Sequence, residues 1–279
     1  MRKNRIIPIV LFKDGHVVQS KKFNEYKNLG NPLLTINRLS EWGADEICFL
    51  DISRDNNWQS GRSDLNERTP ATFLEVLAEV SKVAYMPLTC GGGIRTMEDV
   101  ELRIKHGADK ISFNRSIVSN PALLQEAVRE FGSQSVVASI DVKFTEDKYR
   151  VYIDGGQTCV KQDWKDYLRR VEDLGVGEIL LNSINNDGGK EGYDLDMLSI
   201  ATSLVSIPVI ACGGVGQWQH FRRAFIETEI DAVAAANIFQ HQDQSVYQAH
   251  KFLFDHGINV RPPRLIETHY MKVTTDELL

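Results

Sequence analysis

The sequence is poor in the features that mark several protein classes. It has 4 cysteines in 279 residues and no CxxC pair. Cys48, Cys90, Cys159 and Cys212 are widely spaced, and three of them sit in strand-like runs. That argues against a disulfide framework and for reduced, mostly buried thiols of a cytoplasmic protein. No HxH, HExxH or paired Cys/His pattern occurs among the 7 scattered histidines, so no metal site and no cofactor is expected. The apolar run near the start, Ile6–Phe12, is followed at once by Lys13 and Asp14. It is too short for a signal core or a membrane span and suits a buried first strand. Arginine-rich blocks are missing and the net charge is −6, which argues against a nucleic-acid partner.

What is present is an even alternation. Hydrophobic content of 42% and charged content of 25% are those of an ordinary globular chain. Short β-branched runs are expected as strands near 6–12, 46–52, 86–90, 110–114, 136–142, 178–183, 209–212 and 232–236. Helical periodicity fills the gaps near 33–42, 71–83, 97–105, 121–131, 164–174, 195–205, 219–227 and 245–255. Eight strand–helix pairs predict an α/β fold, a (β/α)8 barrel over residues 1–260. An open doubly wound sheet is the rival, and the even repetition argues against it.

The two halves, about 1–132 and 133–260, resemble each other. Gly43-Ala-Asp-Glu-Ile pairs with Gly175-Val-Gly-Glu-Ile, and Gly107-Ala-Asp-Lys with Ile230-Asp-Ala-Val. A tail, 261–279, follows the last helix. Its early prolines stop that helix, and a loose end is expected. Longer connections are expected at 53–69 and at 143–163, the second holding a small hairpin through Asp154-Gly155-Gly156.

The chemistry concentrates at strand ends. Pro87-Leu-Thr-Cys-Gly-Gly-Gly-Ile-Arg-Thr96 has a near-copy at Pro208-Val-Ile-Ala-Cys-Gly-Gly-Val-Gly216. Glycines between a strand and a helix let backbone N–H groups approach an anion, so Gly92, Gly93, Gly213 and Gly214 are candidate phosphate ligands. Two such loops imply a small molecule with a phosphate at each end. Asp187-Gly188 after the sixth strand can act likewise or be a plain turn. Asn114 and Asn237 end the fourth and eighth strands and fit phosphate donors or helix caps. Asp141 ends the fifth strand as a candidate general acid or base. Arg5, Glu46, Lys110 and Glu178 open four strands and converge at the opposite end; on spacing alone a stabilising floor is the simpler reading.

Over residues 2–260 the chain resembles the cyclase subunit family of imidazole glycerol phosphate synthase. The resemblance rests on Arg5-Ile-Ile, Lys13-Asp-Gly-His-Val-Val18, Gly43-Ala-Asp-Glu46, Phe49-Leu-Asp-Ile52, the two glycine loops, Gly107-Ala-Asp-Lys110, Phe131-Gly-Ser-Gln134 and Gly177-Glu-Ile-Leu180. It implies a bisphosphate site, and a glutaminase docked on the N-terminal face of the barrel. It also implies passage of ammonia through the Arg5, Glu46, Lys110 and Glu178 gate. One departure is evident. Leu11 stands where the family has a catalytic aspartate, the partner of Asp141, and Gln19 replaces a loop lysine. That pattern is similar to a branch associated with amidation of surface-glycan sugars, in which ammonia goes on to a sugar-amidating synthetase; Asn182-Ser-Ile184 is shared with it. The resemblance therefore implies a subunit of a glutamine amidotransferase complex serving glycan amidation. The alternatives are a histidine-pathway cyclase (a lyase) and a non-catalytic barrel that activates a glutaminase.

Overall fold

A computed structural model describes residues 3–21, 23–53, 72–240 and 242–266. In chain order its strands are β1 (Arg5–Lys13), β2 (His16–Lys21), β3 (Glu25–Gly30), β4 (Ile47–Asp51), β5 (Leu88–Gly91), β6 (Lys110–Phe113), β7 (Val136–Thr145), β8 (Lys148–Ile153), β9 (Thr158–Cys159), β10 (Glu178–Ser183), β11 (Val209–Cys212) and β12 (Ala232–Ala235). The helices are α1 (Pro32–Glu41), α2 (Phe73–Val80), α3 (Met97–Lys105), α4 (Ser116–Ser119), α5 (Pro121–Phe131), α6 (Trp164–Asp173), α7 (Leu195–Leu204), α8 (Trp218–Glu227) and α9 (Ser245–Asp255). Eight parallel strands, β1, β4, β5, β6, β7, β10, β11 and β12, pair in that order, and β12 closes on β1. This is the (β/α)8 barrel expected from the alternation. Each of the eight expected strands and helices is present near its expected bounds.

Period-2 alternation divides the strand side chains between two cores. One parity of β1 (Ile6, Val10, Phe12) packs outward against the helices with Leu39, Phe49, Leu77 and Phe73. Phe12, Phe49 and Phe73 form an aromatic triangle with centroids 5.2–5.6 Å apart. The other parity fills the barrel lumen: Ile7, Ile9, Leu180 and Ile210 beside the smaller Cys48, Ala232 and Ala234. Burial in the outer layer drives folding, at about 1.5–3 kcal/mol for each large apolar side chain. The lumen is fixed by the same register and has smaller side chains on β12.

Aspartates in three Ala-Asp or Ile-Asp strand starts have a common task. Asp45 accepts from the amide of Ile6 at 2.7 Å, Asp109 from Leu88 at 2.8 Å and Asp231 from Val209 at 3.3 Å. Each carboxylate ties the first residues of the preceding barrel strand to the next, which explains why this sequence element recurs.

Three features differ from the sequence expectation. The segment after β1 is an antiparallel β-ribbon, β1–β2–β3, with Asp14 and Gly15 in the left-handed region at φ 48° and 87°. The expected hairpin through Asp154–Gly156 is present as β8–β9, and an additional two-residue turn at Glu146-Asp147 joins β7 to β8. The beginning of the tail is also bound rather than loose. Arg261 pairs with Asp45, and the amide of Ile266 donates to the carbonyl of Glu41 at 2.8 Å. Residues 267–279, nearly all of the expected connection 53–69, and Ala71 lie outside the described residues.

Candidate functional site

Following β1 from Arg5 to Leu11 crosses the barrel from floor to mouth, about 20 Å along the strand at ~3.3 Å per residue. At the floor the four charged strand starts meet. Arg5 donates to Glu46 at 2.8 Å and to Glu178 at 2.7 Å, while Lys110 Nζ donates to Glu46 at 2.8 Å and to Glu178 at 2.9 Å. Each carboxylate thus has two cationic partners, and each cation two carboxylates. Glu46 is 3% exposed and also accepts from Thr89 Oγ1 at 2.5 Å. Burial alone would push the Glu178 carboxyl up; the positive charges of Arg5 and Lys110 outweigh it and hold the group below its usual range. Burial likewise works against the Arg5 charge, and Glu178 and Glu46 reverse the effect.

At the mouth, Asp141 is 8% exposed. Its Oδ1 accepts from Asn182 Nδ2 and its Oδ2 from Asn114 Nδ2, both at 3.0 Å. Asn182 lies on β10 and Asn114 follows β6, the two strands that flank β7. Burial pushes the Asp141 carboxyl up to about 6; the two carboxamides oppose this and the nearby Asp187 adds to it. A carboxyl poised there can hold or release a proton close to neutral pH. Asn182 was not singled out from the sequence as a site residue. Its signal was available: it is the penultimate residue of a strand beside the fifth, and Asn114 directly follows the strand on the other side.

Leu11 lies in register with Leu50 on β4, and both pack against the lumen cluster together with Cys212 and Ala236. The side of the mouth that Leu11 occupies is therefore apolar, and Asp141 has no second carboxylate from β1.

The glycine loops follow β5 and β11. At Gly92 φ is 100°, and a Cβ there would lie 1.9 Å from the carbonyl oxygen of Asp51. At Gly214 φ is also 100°, and a Cβ would lie 2.1 Å from the carbonyl oxygen of Gly192. Only glycine fits either place, for the same reason in both loops. Past the first loop, α3 begins with a capping box in which Thr96 and Asp99 satisfy each other's amides. The Asp187-Gly188 turn is held by the β2–β3 ribbon: Ser20 Oγ donates to Asp187 Oδ2 at 3.1 Å, and Gly188 packs on Lys21. Asn237 donates to the carbonyl of Ser20 at 3.0 Å, so this carboxamide also faces the ribbon. Asn114, expected as a phosphate donor or cap, directs its amide hydrogens at Asp141 and at the carbonyl of Ser139.

Cys48 and Cys90 are buried, which disfavours the reactive thiolate. Burial pushes Cys90 up to about 12 and Cys48 well above its usual range. Among the described residues no cluster of three or more His, Cys, Asp or Glu could hold a metal ion, and no helix is long and apolar enough to cross a membrane.

The comparisons with known proteins agree with this geometry. A family model described as "Histidine biosynthesis protein" matches residues 5–245. Imidazole glycerol phosphate synthase subunit HisF of Alkaliphilus metalliredigens is 41% identical over 262 residues, 94% of this chain and 100% of the relative. The subunit of the same name from Natranaerobius thermophilus is 39% identical over 261 residues, 94% and 100% of the two chains. That from Campylobacter concisus is 40% identical over 257 residues, 92% and 97% of the two chains. A closed barrel, a duplicated glycine loop and full-length similarity of this degree place the chain in the histidine biosynthesis protein family, among relatives of the HisF subunit of imidazole glycerol phosphate synthase.

Proposed function

We propose that this chain is the ammonia-receiving barrel subunit of a glutamine amidotransferase complex, with a glutaminase docked on its floor. The observation that carries this is the closed ring of Arg5, Glu46, Lys110 and Glu178 at one end of an apolar lumen that has Asp141 at the other. Neutral ammonia can enter such a lumen, whereas an ammonium ion would be desolvated without a partner. In the ring, moving the Lys110 side chain aside leaves both carboxylates still paired with Arg5, so opening costs Lys110 its partners but leaves neither carboxylate unpaired. Above it the lumen keeps small groups, among them Cys48, Ala232 and Ala234.

At the mouth, the loops at Gly92-Gly93 and Gly213-Gly214 hold the phosphates of the acceptor through backbone N–H groups, helped by the Asp187-Gly188 turn and by Asn237, while Asn114 grips Asp141 instead. Asp141 moves the proton as ammonia adds to the acceptor. A cytoplasmic location fits the reduced thiols.

Two acceptors are in play. The names of the relatives favour imidazole glycerol phosphate formation, with this chain as the cyclase subunit. Leu11 favours a second reading, in which ammonia serves a sugar-amidating synthetase of a surface-glycan pathway and the barrel's own ring closure is weak. A barrel that only activates its glutaminase is the third reading, and the poised Asp141 counts against it. The test is turnover of the imidazole-forming substrate with added ammonium. A single proton-transfer group in place of two should leave a rate ~10²–10⁴-fold below that of a two-aspartate cyclase. A rate equal to that enzyme's would establish the histidine-pathway reading and remove the glycan one.

A further inference from the structure

The two glycine loops are matched in backbone shape but are anchored differently. In the second loop the anchor comes from the neighbouring connection: the amide of Gly192 donates to the carbonyl of Gly214 at 2.8 Å, and Asn186 Nδ2 in turn holds the carbonyl of Gly192 at 2.9 Å. In the first loop it comes from the helix that follows. Arg103 of α3 is 8% exposed, and its Nη2 donates to the carbonyl of Gly92 at 2.7 Å. Its Nη1 donates to the carbonyl of Asp99 at 2.9 Å, and the guanidinium lies 5.8 Å from the ring centroid of Phe73. Counting from the paired glycines, the equivalent residue of α8 is Ala224, which is fully buried. The arginine therefore belongs to one loop only.

A buried guanidinium is an expensive group to place, so its contacts indicate a task. Its fork spans two carbonyls, one in the loop and one in the first turn of the helix, and fixes their separation. The peptide joining Gly92 to Gly93 is planar and trans, so its carbonyl and its N–H point in opposite directions. Drawing the Gly92 carbonyl back to Arg103 turns the Gly93 N–H the other way, out of the loop, and Gly93 is exposed. The guanidinium also lies directly behind that peptide, 3.6 Å from where a Gly93 Cβ would be. A bound anion would meet an oriented N–H with a low-lying positive charge behind it. Asp99 also faces the cation, with Oδ1 at 3.9 Å from Nη1, but that carboxylate is occupied by the amides of Arg95 and Thr96 at 2.8 and 2.9 Å.

We propose that Arg103 is a positioning residue for phosphate: it orients the Gly93 N–H of the first glycine loop and backs it with charge, so that one phosphoryl end of the acceptor is recognised through Arg103 and the other is not. This rests on the phosphate-loop reading given above, and the experiment separates the two. Inorganic phosphate is titrated into the full chain while the backbone amide resonances of Gly93 and Gly214 are followed separately. In the wild type both should shift. In Arg103→Leu the affinity read at Gly93 should fall about tenfold, because a charge a few ångströms behind the anion and the fixed N–H are both lost; the affinity read at Gly214 should not change. Arg103→Lys keeps the charge without the fork and should lose about threefold at Gly93 alone. Equal affinity at Gly93 in wild type and variants, or equal weakening at both loops, overturns the role of Arg103. If neither glycine responds to phosphate in the wild type, the phosphate-loop reading itself fails. Should the leucine variant not give a folded spectrum, the lysine variant decides by the same comparison.

Discussion

Asn182 Nδ2 lies 3.0 Å from Asp141 Oδ1, and Asn114 Nδ2 is at the same distance from Oδ2. The carboxylate is thus gripped from both neighbouring strands. Both bonds favour its ionised form while burial disfavours it, and burial wins. Asn182→Leu should therefore raise the Asp141 pKa further, by ~1 unit for one lost hydrogen bond. Following the carboxyl carbon of Asp141 by NMR across pH 4–8 checks this. If the reaction depends on the ionised form, the acidic limb of its pH profile moves up with it. A limb that stays put would mean that another group limits the rate.

The same burial has an effect on stability. A carboxyl whose folded-state pKa, about 6, lies above the ordinary value of 3.8 binds its proton more tightly folded than unfolded. Stability is then lost as pH rises from about 4 through 6 and regained as pH falls. Asp141→Asn should accordingly stabilise the barrel above pH 7, by at most ~3 kcal/mol at ~1.4 kcal/mol per pKa unit, and should give no advantage near pH 4. Denaturant unfolding at the two pH values tests the sign. Turnover in this variant should be lost.

Leu11→Asp restores a carboxylate to the apolar side of the mouth, in register with Leu50. Ammonium-dependent formation of the imidazole product should rise by ~10²-fold or more if the proton-transfer group is all that is missing. No gain would shift attention to the ribbon residue Gln19 and to a different acceptor.

Asp45 sits at the floor beside the ring and holds three elements: the amide of Ile6, His250 at 3.2 Å and Arg261 of the tail. Burial pushes its carboxyl up, but His250, the Ile6 amide and Arg261 together bring it below its usual range. Its contribution is present above the unfolded value near 3.8 and is lost as pH falls through the lower folded value. Asp45→Asn, which takes the carboxylate away from Arg261 and from the buried Ile6 and His250 contacts, should cost about 1–2 kcal/mol at pH 7 after allowance for the partial exposure of Arg261. Comparing its urea unfolding with that of the wild type at pH 7 and again at pH 3, where the difference should narrow, tests both claims.

Much of this was legible in the chain. The eight strands and helices follow from hydrophobic period; Asn31, Thr72, Thr96, Asp163 and Asp194, not read as caps in the sequence, cap five of the helices in the structure. Asp141 was legible from its place at a strand end. What was missed is what neighbouring strands decide. Asp14-Gly15 is a strong hairpin signal between two strand-like runs, yet the second run, His16–Lys21, is short and polar enough to pass for a loop. Asn182 and Thr89 gained meaning only from the barrel order, which sets Asn182 opposite Asp141 and brings Thr89 against Glu46. Arg103 reads as an ordinary helical surface charge until the fold turns it inward.

The central claim is that ammonia enters through the floor ring, and Lys110→Ala tests it most directly. The variant keeps the Arg5 contacts to both Glu46 and Glu178, so the barrel should remain folded. Product formation is compared with glutamine, through the partner glutaminase, and with added ammonium as the nitrogen source. The glutamine-dependent rate should change by about tenfold or more while the ammonium-dependent rate stays within about twofold, since only the first route crosses a closed ring. Equal loss of both rates, or no change in either, would show that the ring is a structural floor and that ammonia reaches Asp141 another way.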